Sequence, residues 1–71
     1  MTTLQACSLA KNYFKHNNIE CDGDPILETK VGNIFIFWNP NNPNYYCKIE
    51  VNNNNTYLDL YNHVSCSWIE L

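Results

Sequence analysis

At 71 residues and a formal net charge of −3, the chain has room for one domain and presents no Lys/Arg cluster. Its only cations besides histidine are Lys11, Lys15, Lys30 and Lys48, too few and too scattered to grip nucleic-acid phosphates or an anionic membrane surface. Thirteen asparagines point to an AT-rich coding bias, which ought to enrich lysine equally and does not.

A domain this small buries only about 60% of the surface its unfolded chain exposes. Large rings compensate, and ten of the residues are aromatic. No stretch approaches the roughly 18 apolar residues of a membrane span. The start Met1-Thr2-Thr3-Leu4-Gln5 lacks the basic and apolar regions of a secretory signal. The expected location is the cytoplasm, that of the host if the protein is viral. Cys7, Cys21, Cys47 and Cys66 are then expected as reduced, mostly buried thiols.

The first predicted element is an amphipathic helix over residues 3–17. Ala6, Cys7, Ala10, Tyr13 and Phe14 recur at spacings of three and four, with Leu9 at the margin. Thr2 or Thr3 caps its start. Lys15 and His16 oppose the negative helix end, and Asn17-Asn18 tolerate the left-handed conformation that closes a helix. Ile19 then returns to the core. Glu20-Cys21-Asp22-Gly23-Asp24-Pro25 reads as a turn-rich connection.

Beyond it the period changes to that of strands. Ile26–Val31 and Ile34–Asn39 flank Gly32-Asn33, a two-residue loop suited to a type II′ turn. That loop sets Val31 against Ile34, Thr29 against Ile36 and Leu27 against Trp38, all on one side. The other side receives Ile26, Glu28, Lys30, Phe35 and Phe37. Pro40–Asn44 is a loop. In Tyr45–Val51, residues Tyr45, Cys47, Ile49 and Val51 point inward and Tyr46, Lys48 and Glu50 outward. After a turn at Asn52–Asn55, Thr56–Asn62 sends Leu58 and Leu60 inward and Tyr57, Asp59 and Tyr61 outward. His63–Leu71 reads as a last strand with Val64, Cys66 and Trp68, or as a short helix. The predicted fold is α+β: an N-terminal helix packed on one face of an antiparallel four- to five-stranded meander sheet.

Few residues suggest chemistry. Glu20, Asp22 and Asp24 alternate around Gly23 and could offer oxygen ligands to Ca²⁺ or Mg²⁺, but the pattern lacks the downstream glutamate of a calcium loop. His63 and Cys66, with His16 and Cys21, match no zinc spacing. No nucleophile has an adjacent base, and two glycines make no phosphate loop. No cofactor, metal or catalysis is therefore expected.

The outward sheet face is the better candidate. On the register above, Phe35, Phe37, Tyr46, Tyr57 and Tyr61 share it with Lys48 and Glu50. Aromatics among mixed charges resemble the composition of protein interfaces. The expected function is non-catalytic protein binding, in the manner of phage anti-defence inhibitors or immunity proteins. Two alternatives accompany it: a homo-oligomeric assembly subunit, dimeric through the sheet, and a small metal- or ligand-binding domain.

Overall fold

The structure, a computed structural model, describes residues 1–62 and the backbone of residues 67–69. One helix, α1 (Thr3–His16), precedes five strands: β1 (Ile26–Val31), β2 (Ile34–Trp38), β3 (Tyr45–Asn52), β4 (Asn55–Asn62) and β5 (Ser67–Ile69). The strands form one antiparallel sheet in sequence order, a meander, and α1 packs against β2 and β3. The predicted α+β architecture is the observed one, and the last segment contributes a strand. Val64 and Cys66 lie outside the described residues.

The helix ends follow from its terminal residues. Thr2 is the N-cap: its hydroxyl accepts the Gln5 N–H at 3.1 Å, and the Gln5 side chain accepts the Thr2 N–H at 2.8 Å. This reciprocal pair satisfies two otherwise orphaned donors. At the other end Asn18 adopts φ 60°, the Ile19 N–H reaches the Phe14 carbonyl at 2.9 Å, and the Asn18 N–H reaches that of Lys15 at 3.1 Å. These are the two bonds of a Schellman closure, with asparagine in the place usually taken by glycine. The closure turns Ile19 back into the core.

The fully buried stripe of α1 is Ala6, Ala10 and Phe14. Two alanines let the helix axis approach the sheet closely, and Phe14 fills the space beyond them. Beneath lie Phe35 and Phe37 of β2, Cys47 and Ile49 of β3, and Leu60 of β4, with Ile19 and Cys21 closing one end. Cys7, Leu9, Tyr13, Tyr45 and Leu58 pack around this cluster.

Both tight turns use positive φ. Gly32 has φ +57° while Asn33 does not, as a type II′ turn requires, and Val31 pairs with Ile34. Asn53 and Asn54, at φ 51° and 66°, form the two centres of a type I′ turn joining β3 to β4.

Two expectations are corrected here. The β1–β2 register shifts at a bulge between Leu27 and Thr29, so Leu27 pairs with Phe37 and Ile26 with Trp38. An extra residue on one strand moves every later partner by one. The larger correction concerns β2 and β3. Ile34 pairs with Glu50, Ile36 with Lys48 and Trp38 with Tyr46, whereas Phe35 and Phe37 pair with Ile49 and Cys47. Phe35 and Phe37 therefore stand on the helix side, 3% and 1% exposed, and not on the open face.

Candidate protein-interaction face

α1 covers one side of the sheet. No other described element covers the opposite side. Successive side chains of a strand alternate between faces, so the pairing defines what that second side carries. Three rows cross it. Val31, Ile34, Glu50 and Tyr57 form the first; Thr29, Ile36, Lys48 and Asp59 the second; Ile26, Trp38, Tyr46 and Tyr61 the third.

Of the residues expected at the interface, Tyr46, Lys48, Glu50, Tyr57 and Tyr61 meet on this face. Phe35 and Phe37 do not. Their rings are near-parallel, 10° apart in plane with centroids at 6.4 Å, and Lys30 extends over Phe35 at 5.2 Å on the helix side. In their place the face presents Ile34, Ile36 and Trp38, each partly buried. The sequence pattern favours the helix side for these three and leaves the opposite assignment open. One signal pointed the other way: an indole N–H needs a polar partner, which a rim position supplies more readily than a core. Trp38 finds it in the Pro43 carbonyl, at 3.1 Å.

The polar groups of this face are arranged across strands. Lys48 and Asp59 are direct cross-strand neighbours with an N–O distance of 3.8 Å. Such a partly exposed pair contributes about 0–1 kcal/mol and chiefly orients its members. Tyr46 and Tyr61 meet edge to face, with centroids 6.4 Å apart and planes at 63°. Glu50 lies beside Tyr57, which is 53% exposed. Along the first half of β4 a shallow hollow of about 620 Å³ continues from Glu50, Tyr57 and Asp59 to Thr56, Leu58 and Tyr13. The result is a broad surface of aliphatic and aromatic groups threaded by one cation and two carboxylates.

The acidic loop is tied to its neighbours by hydrogen bonds and an ion pair. The Asn41 side-chain oxygen accepts the N–H groups of Asp22 and Gly23 at 2.9 and 3.2 Å, and Asp24 approaches Lys11 at 3.6 Å. Among the described residues no three His, Cys, Asp or Glu side chains converge as a metal site would require. His63 and Cys66 of the zinc pattern lie outside the described residues.

Cys7, Cys21 and Cys47 are free thiols. The Cys7 thiol donates to the Pro25 carbonyl at 3.5 Å and that of Cys21 to the Gly23 carbonyl at 3.3 Å. Burial raises the pKa of all three, that of Cys47 to about 12, with Asp59 adding to the rise. A nucleophilic cysteine needs the opposite shift.

No described helix is long and apolar enough to cross a membrane. Comparison with protein-family models, curated proteins and solved structures found no match.

Proposed function

We propose that this chain is a small non-catalytic protein-binding module whose contact surface is the sheet face opposite α1. One observation carries the reading. That face holds Ile34, Ile36, Trp38, Tyr46, Tyr57 and Tyr61 in one contiguous area, interspersed with Lys48, Glu50 and Asp59. An aromatic-rich apolar area threaded by a few charges resembles the composition of protein contacts, where a few large rings carry most of the affinity.

An inhibitor or antagonist, of the phage anti-defence or immunity kind, is the form of binding that suits so small a chain. Such a protein needs a rigid surface and no chemistry of its own. The meander provides the rigidity: β2, β3 and β4 present the surface from adjacent, hydrogen-bonded strands rather than from loops.

The test is comparative capture from lysate of the source cell or its host. Wild type is set against Ile36→Glu, Tyr57→Ala and, as a control on the helix, Leu4→Asp. Leu4 is 78% exposed on α1. A partner retained by wild type and Leu4→Asp but lost from both face variants supports the reading. Capture that is unchanged in both face variants overturns it.

A further inference from the structure

The connection after α1 contains the pair Asp22-Gly23, exposed at both residues. In such a pair the glycine nitrogen can reach the aspartate carboxyl with no side chain of its own in the way. Nothing lies within 4 Å of where a Gly23 Cβ would stand, so no other part of the chain crowds the approach. Yet the pair is held in one conformation. The Asn41 Oδ1 accepts the Asp22 N–H at 2.9 Å and the Gly23 N–H at 3.2 Å. These bonds fix the two nitrogens on either side of one rotatable bond, the Cα–C bond of Asp22.

We infer that Asp22 is a site of backbone isomerisation to isoaspartate, and that Asn41 holds it closed in the folded protein. In the reaction the Gly23 nitrogen attacks Cγ of the protonated Asp22 carboxyl. The N–Cγ bond forms, and the N–H proton leaves with the carboxyl hydroxyl as water. The product is a cyclic succinimide. Water then opens the ring at either carbonyl. Cleavage of the new N–Cγ bond restores aspartate. Cleavage of the original peptide C–N bond leaves the chain running through Cγ, one carbon longer. The water lost in the first step is regained in the second, and no oxidant or cofactor enters.

Ring closure requires the Asp22 Cβ to eclipse the Gly23 nitrogen about the Cα–C bond. Two successive N–H groups that converge on one oxygen place the Asp22 nitrogen, rather than Cβ, on that side. The two cannot occupy it together, so the bound conformation and the reactive one exclude each other. Asn41 belongs to the loop between β2 and β3, where its own N–H is held by the Asn39 side-chain oxygen at 3.0 Å. The protection is therefore tertiary: it exists while that loop is docked and ends when the loop leaves. The extra carbon of an isoaspartate spreads the two N–H groups apart, and one oxygen no longer serves both. The modification thus records time spent with the loop undocked.

The test is incubation of the whole protein in warm, mildly acidic heavy-oxygen water. Ring opening leaves a heavy oxygen on residue 22, read by the mass of the peptide that contains it, and chromatographic retention separates its isoaspartyl form. Folded wild type should label slowly. Asn41→Ala should label about tenfold faster, the factor that one or two lost hydrogen bonds supply. Asn41 is exposed, so this variant should keep the wild-type circular dichroism. Asn41→Asp retains an oxygen acceptor and should label close to the wild-type rate, a rescue that a merely loosened loop would not show. Wild type in urea, which needs no substitution, should label at least as fast as Asn41→Ala. Gly23→Ala has open space for its Cβ and should slow the labelling in urea, which identifies the nucleophile. Labelling of Asn41→Ala within about twofold of folded wild type overturns the proposal. So does a wild-type rate that urea leaves unchanged, an Asn41→Asp rate equal to that of Asn41→Ala, or a rate in urea indifferent to Gly23→Ala.

Discussion

The side-chain nitrogen of Asn39 donates to the Glu20 carbonyl at 2.8 Å, and Asn39 has no solvent exposure. Its side-chain oxygen accepts the N–H groups of Asn41 and Asn42 at 3.0 and 3.2 Å. One buried amide thus joins the connection after α1 to the loop between β2 and β3. Asn41 repeats the link from the other direction through Asp22 and Gly23.

Asn39→Ala should leave the Glu20 carbonyl and the Asn41 N–H without these partners, while the Asn42 N–H keeps the Asn39 backbone carbonyl at 3.2 Å, and should cost about 1–3 kcal/mol. Asn39→Asp should cost at least as much, since it turns the donor into a carboxylate facing a carbonyl in a buried position. Urea denaturation measures both. A loss below about 1 kcal/mol for Asn39→Ala would mean that water replaces the amide at little cost.

The two faces of β2 should respond oppositely to substitution. Phe37→Ala removes a fully buried ring and should cost about 3–5 kcal/mol, much of the stability of so small a domain. Ile36→Thr, on the uncovered face, should cost about 1 kcal/mol or less. Thermal melting distinguishes them. If Phe37→Ala melts as wild type does, the helix does not cover this side of the sheet.

The two tight turns carry opposite predictions. Gly32 sits at φ +57° with open space where a Cβ would point, so Gly32→Ala costs only the backbone strain of the left-handed region, about 1–2 kcal/mol. In the β3–β4 turn, Asn54→Gly creates the Asn-Gly pair preferred by a type I′ turn at φ 66°. It should add a few tenths of a kcal/mol, a rise of roughly 1–4 °C in Tm for a domain of this size. A lower Tm for Asn54→Gly would count against the I′ assignment.

Stability should decline in alkali. The Cys47 thiol, ordinarily near 9.0, is pushed up to about 12 by burial and then by Asp59. Between those values the folded state keeps a proton that the unfolded chain has lost. Stability is therefore full below about pH 9 and falls as pH rises toward 12, by at most about 1.4 kcal/mol per pH unit for this thiol. Cys7, Cys21 and Tyr13, also raised by burial, act in the same direction. Urea midpoints at neutral and alkaline pH, for wild type and Cys47→Ala, measure this. The variant should show the shallower decline, and an equal slope in both would remove Cys47 as a cause.

Much of the fold was legible because local pattern and turn chemistry agreed. The stripe Ala6, Ala10, Phe14 has helical spacing, Thr2 and Gln5 form a capping box, and Asn18 supplies the left-handed closure. In β3 and β4 apolar and polar residues alternate, so Cys47, Ile49 and Leu60 could only face inward, with Lys48, Glu50 and Tyr57 outward. The Gly32-Asn33 loop set the pairing of Val31 with Ile34 and Thr29 with Ile36.

The face of β2 was not legible. Ile34-Phe35-Ile36-Phe37-Trp38 is apolar at every position, so its alternation has no polar side to mark the solvent. The turn at Gly32 fixes how β2 meets β1 but says nothing about which side the helix takes. That choice belongs to the β2–β3 register, and the loop joining those strands is held by contacts with the Glu20 and Asp22–Gly23 backbone, 18–19 residues away in the chain. The bulge at Leu27–Thr29 was hidden for a related reason: it sets Leu27 beside Phe37, a pairing that the two-residue turn and the hairpin's own alternation do not specify. Periodicity determines what one strand can do with its two sides. Only tertiary packing decides which side is dry when both are apolar.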